Sequence, residues 1–543
     1  MKSFDKDPQR RSVVVPRSDQ YGVFGTSLVL LPDETLLCGY MFQDLQRNVY
    51  EKRIIASSDR GRSWSPPRVV YEMPVANGRA DSLTRLSDGR IALIRQNIIH
   101  PDSLGKTSSN GFNVSYSTDD ANTWSDPVAL AEEGTVPWCN RIVETAQGPW
   151  VITCRAPGNP EYQASRPNPK FVMQYRSMDQ GRTWQGPQVI AEDPVLKLTE
   201  PSTIRLRDDR LMTVMRETSY VNVPSYKILS EDGGETWSAL EELPFIGHEL
   251  CLGQLQSGRI MIGLRNMGGY SGSMAWVGDP DEDCGYQVCA TLRSQTPPTI
   301  SDDALKVATA GQGETILYHL RTPESPDSTV RIDAELRCLA NRGNACAIHV
   351  ARCGWISFHP DRVELPRCDG LSAPVDGDRF HRYEIVRESG RLTVSMDGRQ
   401  ILAADPPVDP EKVGPTRFGN IYYDDFNAFG TQSPSRGELD AEAEGEAQWR
   451  LVKMVIDNPN HPRHEFQWEA ASGQLPNQYE EDRMIEIDNN YGYSSYWAGQ
   501  VHWVQFADGE IFLVSGRQFN RDDGKRCGWL LGCRLSEDDF GIG

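Results

Sequence analysis

The chain is 543 residues long, carries a formal net charge of −20, and contains 47 glycines and 35 prolines. This length allows two domains. Its acidity disfavours nucleic-acid binding, and the sequence has no run of about 20 apolar residues that could cross a membrane. The first residues lack the apolar segment of a signal peptide, so we expect a cytoplasmic protein.

The cysteines and glycines do not form the patterns of metal or cofactor sites. Twelve cysteines are too few for a disulfide framework in a chain of this length. Four of them cluster, Cys338, Cys346, Cys353 and Cys368, but without the paired spacing and histidines of a zinc site. No glycine-rich phosphate loop is present. We therefore expect no metal and no organic cofactor.

One eight-residue pattern, S-x-D-x-G-x-(S/T)-W, occurs four times, starting at Ser57, Ser117, Ser177 and Ser230. The aspartate can accept backbone N–H groups of a tight turn, the glycine supplies a positive φ, and the tryptophan can bury its ring between neighbouring sheets. Ala121 replaces the glycine in the second copy, so we expect a looser turn there. Repetition about every 60 residues predicts an all-β fold, a β-propeller.

A second repeat counts the blades. An apolar strand, a turn such as Ser87-Asp88-Gly89, and another apolar strand recur along the chain. The predicted hairpins span Ser27–Tyr40, Ser82–Arg95, Arg141–Arg155, Ser202–Arg216, Leu250–Arg265 and His502–Arg517. Six hairpins predict a six-bladed propeller.

The long interval between the fifth and sixth hairpins predicts an inserted domain. Alternating segments occur at Arg331–Arg337 and Arg391–Arg399, and Phe380–Val386 followed by an Asp-Gly turn resembles a laminin-G or concanavalin-like jelly roll. We expect blades 1 to 5 in residues 1–300, a lectin-like β-sandwich in residues 301–457, and the sixth blade in residues 458–543.

Four such boxes on a six-bladed propeller with this insert resemble the sialidase superfamily. That family holds the substrate carboxylate with arginines and uses an Asp acid/base and a Tyr nucleophile polarised by a Glu. Thr199-Glu200-Pro201-Ser202 is similar to its Glu-Pro segment, with Arg216 following, and Asp44 lies in the region of the acid/base. Gly492-Tyr493-Ser494-Ser495 is similar to the Tyr segment. Phe24-Gly25-Thr26 replaces the early Arg-Ile-Pro segment, so the first arginine is missing.

Propeller geometry predicts a site independently of that resemblance. Each inner strand starts near one mouth of the axial channel, and the second strand returns to it. The hairpin ends at this mouth carry Arg95, Arg155, Arg216, Arg265 and Arg517. The hairpin starts offer Arg79, Asp81, Trp138, Asn140, Arg141, Glu200, His248, Glu249, Trp497 and His502.

These residue types suit an anionic sugar. Arginine grips a carboxylate bidentately, and Trp138 and Trp497 could stack on a sugar ring. The catalytic candidates are Glu200, Asp44, Asp81, Tyr493 and His248. We expect a glycoside hydrolase that removes a terminal sialic or uronic acid from a glycan. Three alternatives remain: a uronate lyase with a His or Tyr base, a non-catalytic glycan-binding propeller, and arginines that only form ion pairs between blades.

Overall fold

The computed structural model describes residues 2–47, 49–73, 82–99, 108–131, 139–155, 170–194, 196–218, 224–266, 272–285, 287–310, 314–320, 326–342, 346–406, 416–420, 444–459, 461, 463–489, 501–520 and 526–542. Within these ranges almost all regular structure is β-strand, arranged in eight sheets. No helix in this part of the chain is long and apolar enough to span a bilayer.

Four blades follow one another directly in the chain, after two N-terminal strands, β1 (Lys2–Ser3) and β2 (Arg11–Val15). Each consists of four antiparallel strands in chain order. Blade 1 contains β3 (Tyr21–Leu30), β4 (Leu36–Asp44), β5 (Val49–Ser57) and β6 (Arg68–Met73). Blade 2 contains β7 (Ser82–Arg85), β8 (Ile91–Ile99), β9 (Ser108–Ser117) and β10 (Val128–Ala131). Blade 3 contains β11 (Cys139–Glu144), β12 (Trp150–Arg155), β13 (Val172–Ser177) and β14 (Gln185–Ala191). Blade 4 contains β15 (Leu198–Arg205), β16 (Leu211–Glu217), β17 (Tyr226–Ser230) and β18 (Glu241–Glu242).

Two further sheets follow the first three strands of blade 5, which are β19 (Gly247–Gln254), β20 (Ile260–Asn266) and β21 (Gly272–Gly278). The strands of these sheets are β22 (Cys289–Arg293), β23 (Thr299–Ser301), β24 (Ala304–Ala310), β25 (Thr315–Leu320), β26 (Thr329–Asn341), β27 (Ala347–Val350), β28 (Gly354–Phe358), β29 (Arg362–Leu365), β30 (Leu371–Pro374), β31 (His381–Glu388), β32 (Arg391–Met396), β33 (Arg399–Ala404), β34 (Thr416–Asn420), β35 (Glu444–Asp457) and β36 (His464–Glu469). One sheet runs β22-β25-β34-β27-β28-β29-β30, and the other runs β23-β24-β35-β26-β31-β32-β33 with β36 beside β35.

Both of these sheets contribute to one apolar core. Tyr318 and Phe418 of the first sheet and Ile385 and Trp449 of the second are buried in the same cluster. The strands begin before and end after the predicted segment 301–457. The lectin-like character of this segment stays a prediction.

The chain then returns to the propeller. A 3-10 turn (Ala470–Ser472) and a short helix, α1 (Gln478–Arg483), lead to β37 (Met484–Asn489). This strand pairs with β21 as the fourth strand of blade 5, and β1 runs parallel to it. The segment after residue 458 thus completes blade 5 as well as blade 6, which differs from the predicted division at residue 300.

Blade 6 joins the two ends of the chain. It contains β38 (Val501–Gln505), β39 (Ile511–Asn520) and β40 (Arg526–Leu535), followed by a 3-10 turn at Glu537–Asp539. The N-terminal strand β2 pairs with β40 as its outer strand. The inner strands contact one another in the cyclic order β3, β7, β11, β15, β19, β38 and back to β3. This closed ring confirms the six-bladed propeller.

Hydrogen bonds between inner strands hold the blades in register. The Ile142 N–H donates to Thr84 Oγ1 at 3.2 Å, and the Leu252 N–H donates to Ser202 Oγ at 3.1 Å. Each bond joins one blade to the next through a side chain, because neighbouring inner strands do not share a ladder.

The four boxes form the predicted turns. In the first, Asp59 Oδ1 accepts the Ser63 N–H at 2.8 Å, and Ser57 Oγ accepts the Gly61 N–H at 2.8 Å. Trp64 packs with Phe512 of blade 6, their ring centroids 6.1 Å apart. The boxes therefore shape the turns and fill the junctions between blades, as predicted.

The second box contradicts the expected looser turn. Ala121 takes up the left-handed conformation itself, with φ of 63°. Its N–H donates to Ser117 Oγ at 2.9 Å, and the Thr123 N–H donates to Asp119 Oδ1 at 2.8 Å, as in the other boxes. The prediction was wrong because the hydrogen bonds and a buried position hold the alanine in this conformation.

We expect the aspartates of the boxes to make the stability of the folded protein depend on pH. The pKa values of Asp119, Asp179 and Asp232 are lowered to about 2, chiefly by the hydroxyl of the threonine that closes each turn. A lowered folded-state pKa stabilises the protein above the unfolded value of 3.8, and this contribution is lost as pH falls towards 2. The Asp179→Asn variant should therefore have a lower urea midpoint of unfolding than the parent at pH 7. The two midpoints should converge as the pH approaches 2.

The control for this pH series is Asp126→Asn. It removes the carboxylate of an exposed aspartate that lies just after the second box and not within it. It should match the parent at every pH. A difference between Asp179→Asn and the parent that stays constant from pH 7 to pH 2 would contradict the role of the ionised carboxylate.

Candidate active site

The first residues of each inner strand lie beside the last residues of the second strand. In blade 4 Thr199 pairs with Arg216, and in blade 5 His248 pairs with Arg265. The geometric expectation that hairpin starts and ends share one end of the channel therefore holds in these two blades. We call this end the Glu200 end, and the opposite end, where the hairpin turns lie, the turn end.

A bulge recurs near the start of the inner strands. The register shifts between Phe24 and Ser27 in β3, and at corresponding places in β11, β15 and β19. In blade 1 the bulge holds Gly25 with φ of 62°, whereas in blades 4 and 5 it holds Glu200 with φ of 51° and Glu249 with φ of 52°. A left-handed conformation costs a residue with a side chain about 1–2 kcal/mol. Two equivalent glutamates share this conformation, which makes the bulge a candidate functional position.

The carboxylate of Glu200 joins blades 4 and 5 at this end of the channel. Its Oε1 accepts a hydrogen bond from Arg216 Nη1 at 2.7 Å, and its Oε2 accepts the Glu249 N–H at 3.3 Å. Glu200 is 8% exposed. The strained bulges of blades 4 and 5 thus contact each other directly.

A second acid–base pair stands beside the first. Arg265 Nη2 lies 3.3 Å from Glu249 Oε1, and each of these two side chains is 5% exposed. Arg155 of blade 3, which is half-buried, interacts electrostatically with both Glu200 and Arg216. Three successive blades therefore bring three guanidinium groups and two carboxylates together at the Glu200 end.

The arginines keep Glu200 ionised. Burial raises the pKa of Glu200, but Arg216, Arg265 and Arg155 together lower it below its usual value. Burial and the same Arg216 and Arg265 hold the pKa of His248 well below its usual range, so its imidazole is neutral at pH 7. If the two glutamates are ionised, the five charged groups carry one net positive charge, which one substrate carboxylate would neutralise.

Asp44 does not suit the predicted role of proton donor. Its Oδ1 accepts the N–H groups of Gln46 and Arg47, both at 2.9 Å. These backbone hydrogen bonds, the one from Arg47 first, lower the pKa of Asp44. A carboxylate held ionised by these bonds at the end of β4 has no proton to give at neutral pH.

Arg517 lies in an ion-pair network rather than in the Glu200 cluster. It contacts Asp488 of β37 and Asp5, and Arg11 Nη2 lies 2.9 Å from the same Asp488 carboxylate. Asp488 is 2% exposed. This is the alternative of ion pairing between blades, and substrate binding by Arg517 stays a prediction.

Arg95, Arg141 and His502 make other contacts. Arg95 stacks on the ring of Tyr71, 4.6 Å from its centroid. Arg141 Nη2 lies 3.6 Å from Cys251 Sγ, inside a cavity that opens at the turn end. His502 Nδ1 forms a 3.1 Å hydrogen bond with Thr26 Oγ1, and burial, with Arg141 and Lys52, lowers the pKa of His502 to about 3. Arg141 thus lines that cavity, and within the described residues it makes no contact with the Glu200 carboxylate.

Several predicted site residues lie outside the described residues. They are Arg79, Asp81, Trp138, Tyr493 and Trp497, together with the side chain of Asn140. Their roles stay predictions. Within the described ranges, no group of three or more His, Cys, Asp or Glu side chains comes together as a metal site would require.

Sequence reasoning missed Lys52. Its side chain is fully buried in β5 of blade 1, and its charge acts on both His502 and Cys38. The available signal was the run Glu51-Lys52-Arg53 in the middle of an apolar strand, which periodicity alone assigns to the surface.

A family model matches the repeat region of the chain. Residues 100–266 match the family model of a BNR repeat-like domain. No curated protein matches the sequence. Among solved structures, a protein of unknown function from Dyadobacter fermentans is 16% identical, with 58% of this chain and 95% of that chain covered and a TM-score of 0.43.

The structural neighbours also include glycoside hydrolases. The Trypanosoma rangeli sialidase in complex with the inhibitor DANA is 9% identical, with 83% of this chain and 96% of that chain covered and a TM-score of 0.35. The Penicillium chrysogenum alpha-L-arabinanase complexed with arabinobiose is 14% identical, with 57% and 96% covered and a TM-score of 0.39. Likeness at this level gives no argument about chemistry, so function has to be argued from the site.

Proposed function

We propose that this chain, a divergent BNR-repeat β-propeller, is a glycoside hydrolase that releases a terminal anionic sugar from a glycan. One observation carries the proposal: Glu200 accepts hydrogen bonds from Arg216 Nη1 at 2.7 Å and from the Glu249 N–H at 3.3 Å. The Glu249 carboxylate lies 3.3 Å from Arg265 Nη2, so two buried guanidinium groups adjoin two buried carboxylates. Guanidinium groups bind a sugar carboxylate through paired hydrogen bonds. An ionised carboxylate beside them can accept a proton from a nucleophile.

The proposed reaction divides these roles between residues. The arginines hold the substrate carboxylate, and Glu200 takes the proton of the attacking group, which is either water or the phenol of Tyr493. The glycosidic C–O bond then breaks, and water supplies the hydroxyl of the released sugar and the proton of the leaving alcohol. The backbone strain at Glu200 fixes the carboxylate towards the arginines instead of leaving it free in solvent.

A uronate lyase is the second candidate, favoured by His248. His248 is 5% exposed. Its burial and the positive charges of Arg216 and Arg265 lower its pKa, so the imidazole is neutral at pH 7. A neutral imidazole can take the C5 proton of a uronate whose carboxylate the arginines neutralise. The leaving alkoxide on C4 departs and a C4–C5 double bond forms, without consumption of water.

The two reactions are separated by one substrate panel. The full chain is incubated with aryl glycosides of sialic acid and glucuronic acid, with the matching neutral glucoside, and with a uronate oligosaccharide. We expect release of the aryl group from an acidic glycoside at least about 100-fold faster than from the neutral one, because the arginines would lack their partner.

The product identifies the reaction. An increase in ultraviolet absorbance from the uronate oligosaccharide would show an unsaturated product and favour the lyase over the hydrolase. Equal cleavage of neutral and acidic glycosides, or tight binding with no product, would overturn the proposed hydrolysis of an anionic sugar.

A further inference from the structure

A cavity opens at the turn end of the channel. Its volume is about 730 Å³, and it is lined by the inner strands of blades 2 to 6. Ligand-binding pockets for small molecules span roughly 300–1,000 Å³. The cavity lies at the end of the channel opposite to Glu200, and none of its lining residues belongs to the Glu200 cluster.

The cavity is positively charged in a protein whose net charge is −20. Its lining includes four arginines from three blades, Arg85, Arg141, Arg205 and Arg207. Glu144 is the one acidic residue among the described residues that line it. The charge of the described lining is therefore opposite in sign to that of the whole molecule.

The single carboxylate of the cavity is already engaged. Glu144 Oε2 accepts the Ser87 N–H at 2.7 Å, and its Oε1 accepts the Ser87 hydroxyl at 2.8 Å. These bonds join blade 3 to the hairpin turn of blade 2, so Glu144 has a structural partner. It leaves most of the arginine charge of the cavity for a ligand.

The arginines are held in place from outside the cavity. Arg205 Nε donates to Asp209 Oδ1 at 2.9 Å, and Arg207 Nη1 donates to the Gln256 carbonyl at 2.5 Å. With Asp209 and Glu144 counted against the four guanidinium groups, two positive charges remain. Arg85 stands exposed at the rim and forms no ion pair with any residue that the structure describes.

An indole ring forms part of the wall. Trp503 is half-buried, and its Nε1–H donates to the Cys251 carbonyl at 3.2 Å. A Cβ on Gly253 would lie 2.4 Å from Trp503 Cζ2, so the glycine lets the ring lie against β19. The ring is therefore fixed by a hydrogen bond on one edge and by close backbone contact.

We propose that this cavity binds an acidic sugar of one or two rings, separately from the Glu200 end. The size of the cavity fits such a ligand, the arginines match its carboxylate, and the flat indole matches the apolar face of a pyranose. This site does not depend on hydrolysis, since it shares no residue with the Glu200 cluster. A sugar bound here would hold one end of an acidic glycan while the other end of the channel is free.

The experiment measures binding of free N-acetylneuraminic acid and glucuronic acid to the full chain by saturation-transfer NMR and calorimetry, with glucose and inorganic sulfate as further probes. We expect at least one acid to bind, and the double variant Arg85→Gln/Arg207→Gln to lose affinity by at least about tenfold. Arg182→Gln/Arg331→Gln removes the same charge from exposed positions outside the cavity and should bind as the parent does.

Variants at the two ends distinguish the two sites. Glu200→Gln should leave the affinity of the turn-end cavity unchanged, whatever it does to hydrolysis or to binding of the acid at the Glu200 end. Binding that Glu200→Gln abolishes and Arg85→Gln/Arg207→Gln preserves would overturn the proposal, as would binding of neither acid. Equal binding of glucose would overturn the role of the arginines, and sulfate binding without either sugar acid would overturn the role of Trp503.

Discussion

Replacing Glu200 by glutamine is expected to reduce turnover of an acidic glycoside about 10³-fold, within the range of one lost general base. Glutamine has the same shape and can still accept the hydrogen bond from Arg216 that Glu200 Oε1 accepts at 2.7 Å. It cannot accept a proton. The loss should therefore fall on the catalytic rate constant, with a smaller change in KM, measured by steady-state kinetics on the substrate found active.

The folded state should survive this substitution. The Arg216 guanidinium loses a charged partner, which costs about 2 kcal/mol for a hydrogen bond to a charged group. The melting midpoint should fall by only a few degrees in a protein of this size. The matched control is Glu231→Gln, an exposed glutamate of the blade 4 box, which should keep both turnover and melting temperature.

The pH dependence gives a further readout for Glu200. Its pKa is lowered from 4.5 in the folded protein, so the base form is present above that range and is lost as pH falls through the folded value. The acid limb of the rate profile of the parent should therefore lie below pH 4.5. Glu200→Gln should remove this limb from its residual activity. Unchanged turnover in Glu200→Gln would exclude Glu200 as the base and leave His248 as the candidate.

The fold could be predicted because its signals are local. Each box combines an aspartate, a positive-φ position and a tryptophan within eight residues, and the turn they form needs no distant partner. The hairpin repeat then counts the blades. What local patterns could not provide was the closure of blades 5 and 6 by β1 and β2, since these strands find partners at the far end of the chain.

The contacts within the candidate site were predictable only where strand pairing determines them. Glu200 and Arg216 meet because Thr199 pairs with Arg216 across one hairpin. The side chains of Arg141 and Arg517 are oriented by residues of other blades, Cys251 and Asp488. These residues are not close to them in the sequence. The left-handed backbone of Glu200 and Glu249 was also beyond prediction, because glutamate intrinsically disfavours that conformation.

Gly61→Ala is expected to destabilise the propeller by about 2–5 kcal/mol. Gly61 has φ of 80°, and an added Cβ would lie 2.4 Å from Phe512 Cζ. The left-handed conformation costs alanine about 1–2 kcal/mol. The overlap with a buried ring adds about 1–3 kcal/mol, because Phe512 is packed in the junction between blades 1 and 6 and cannot move without opening it.

Gly89→Ala separates these two costs. Gly89 has φ of 90° in the hairpin turn of blade 2, but an added Cβ would have no atom within 4 Å. This variant should lose only the backbone term, about 1–2 kcal/mol, and the difference between the two variants in urea denaturation measures the packing of the ring. Equal destabilisation would mean that Phe512 yields. Ala121 holds the equivalent position of the second box with φ of 63° and its methyl buried in an apolar cluster, so the cost at Gly61 comes from Phe512 and not from the box turn alone.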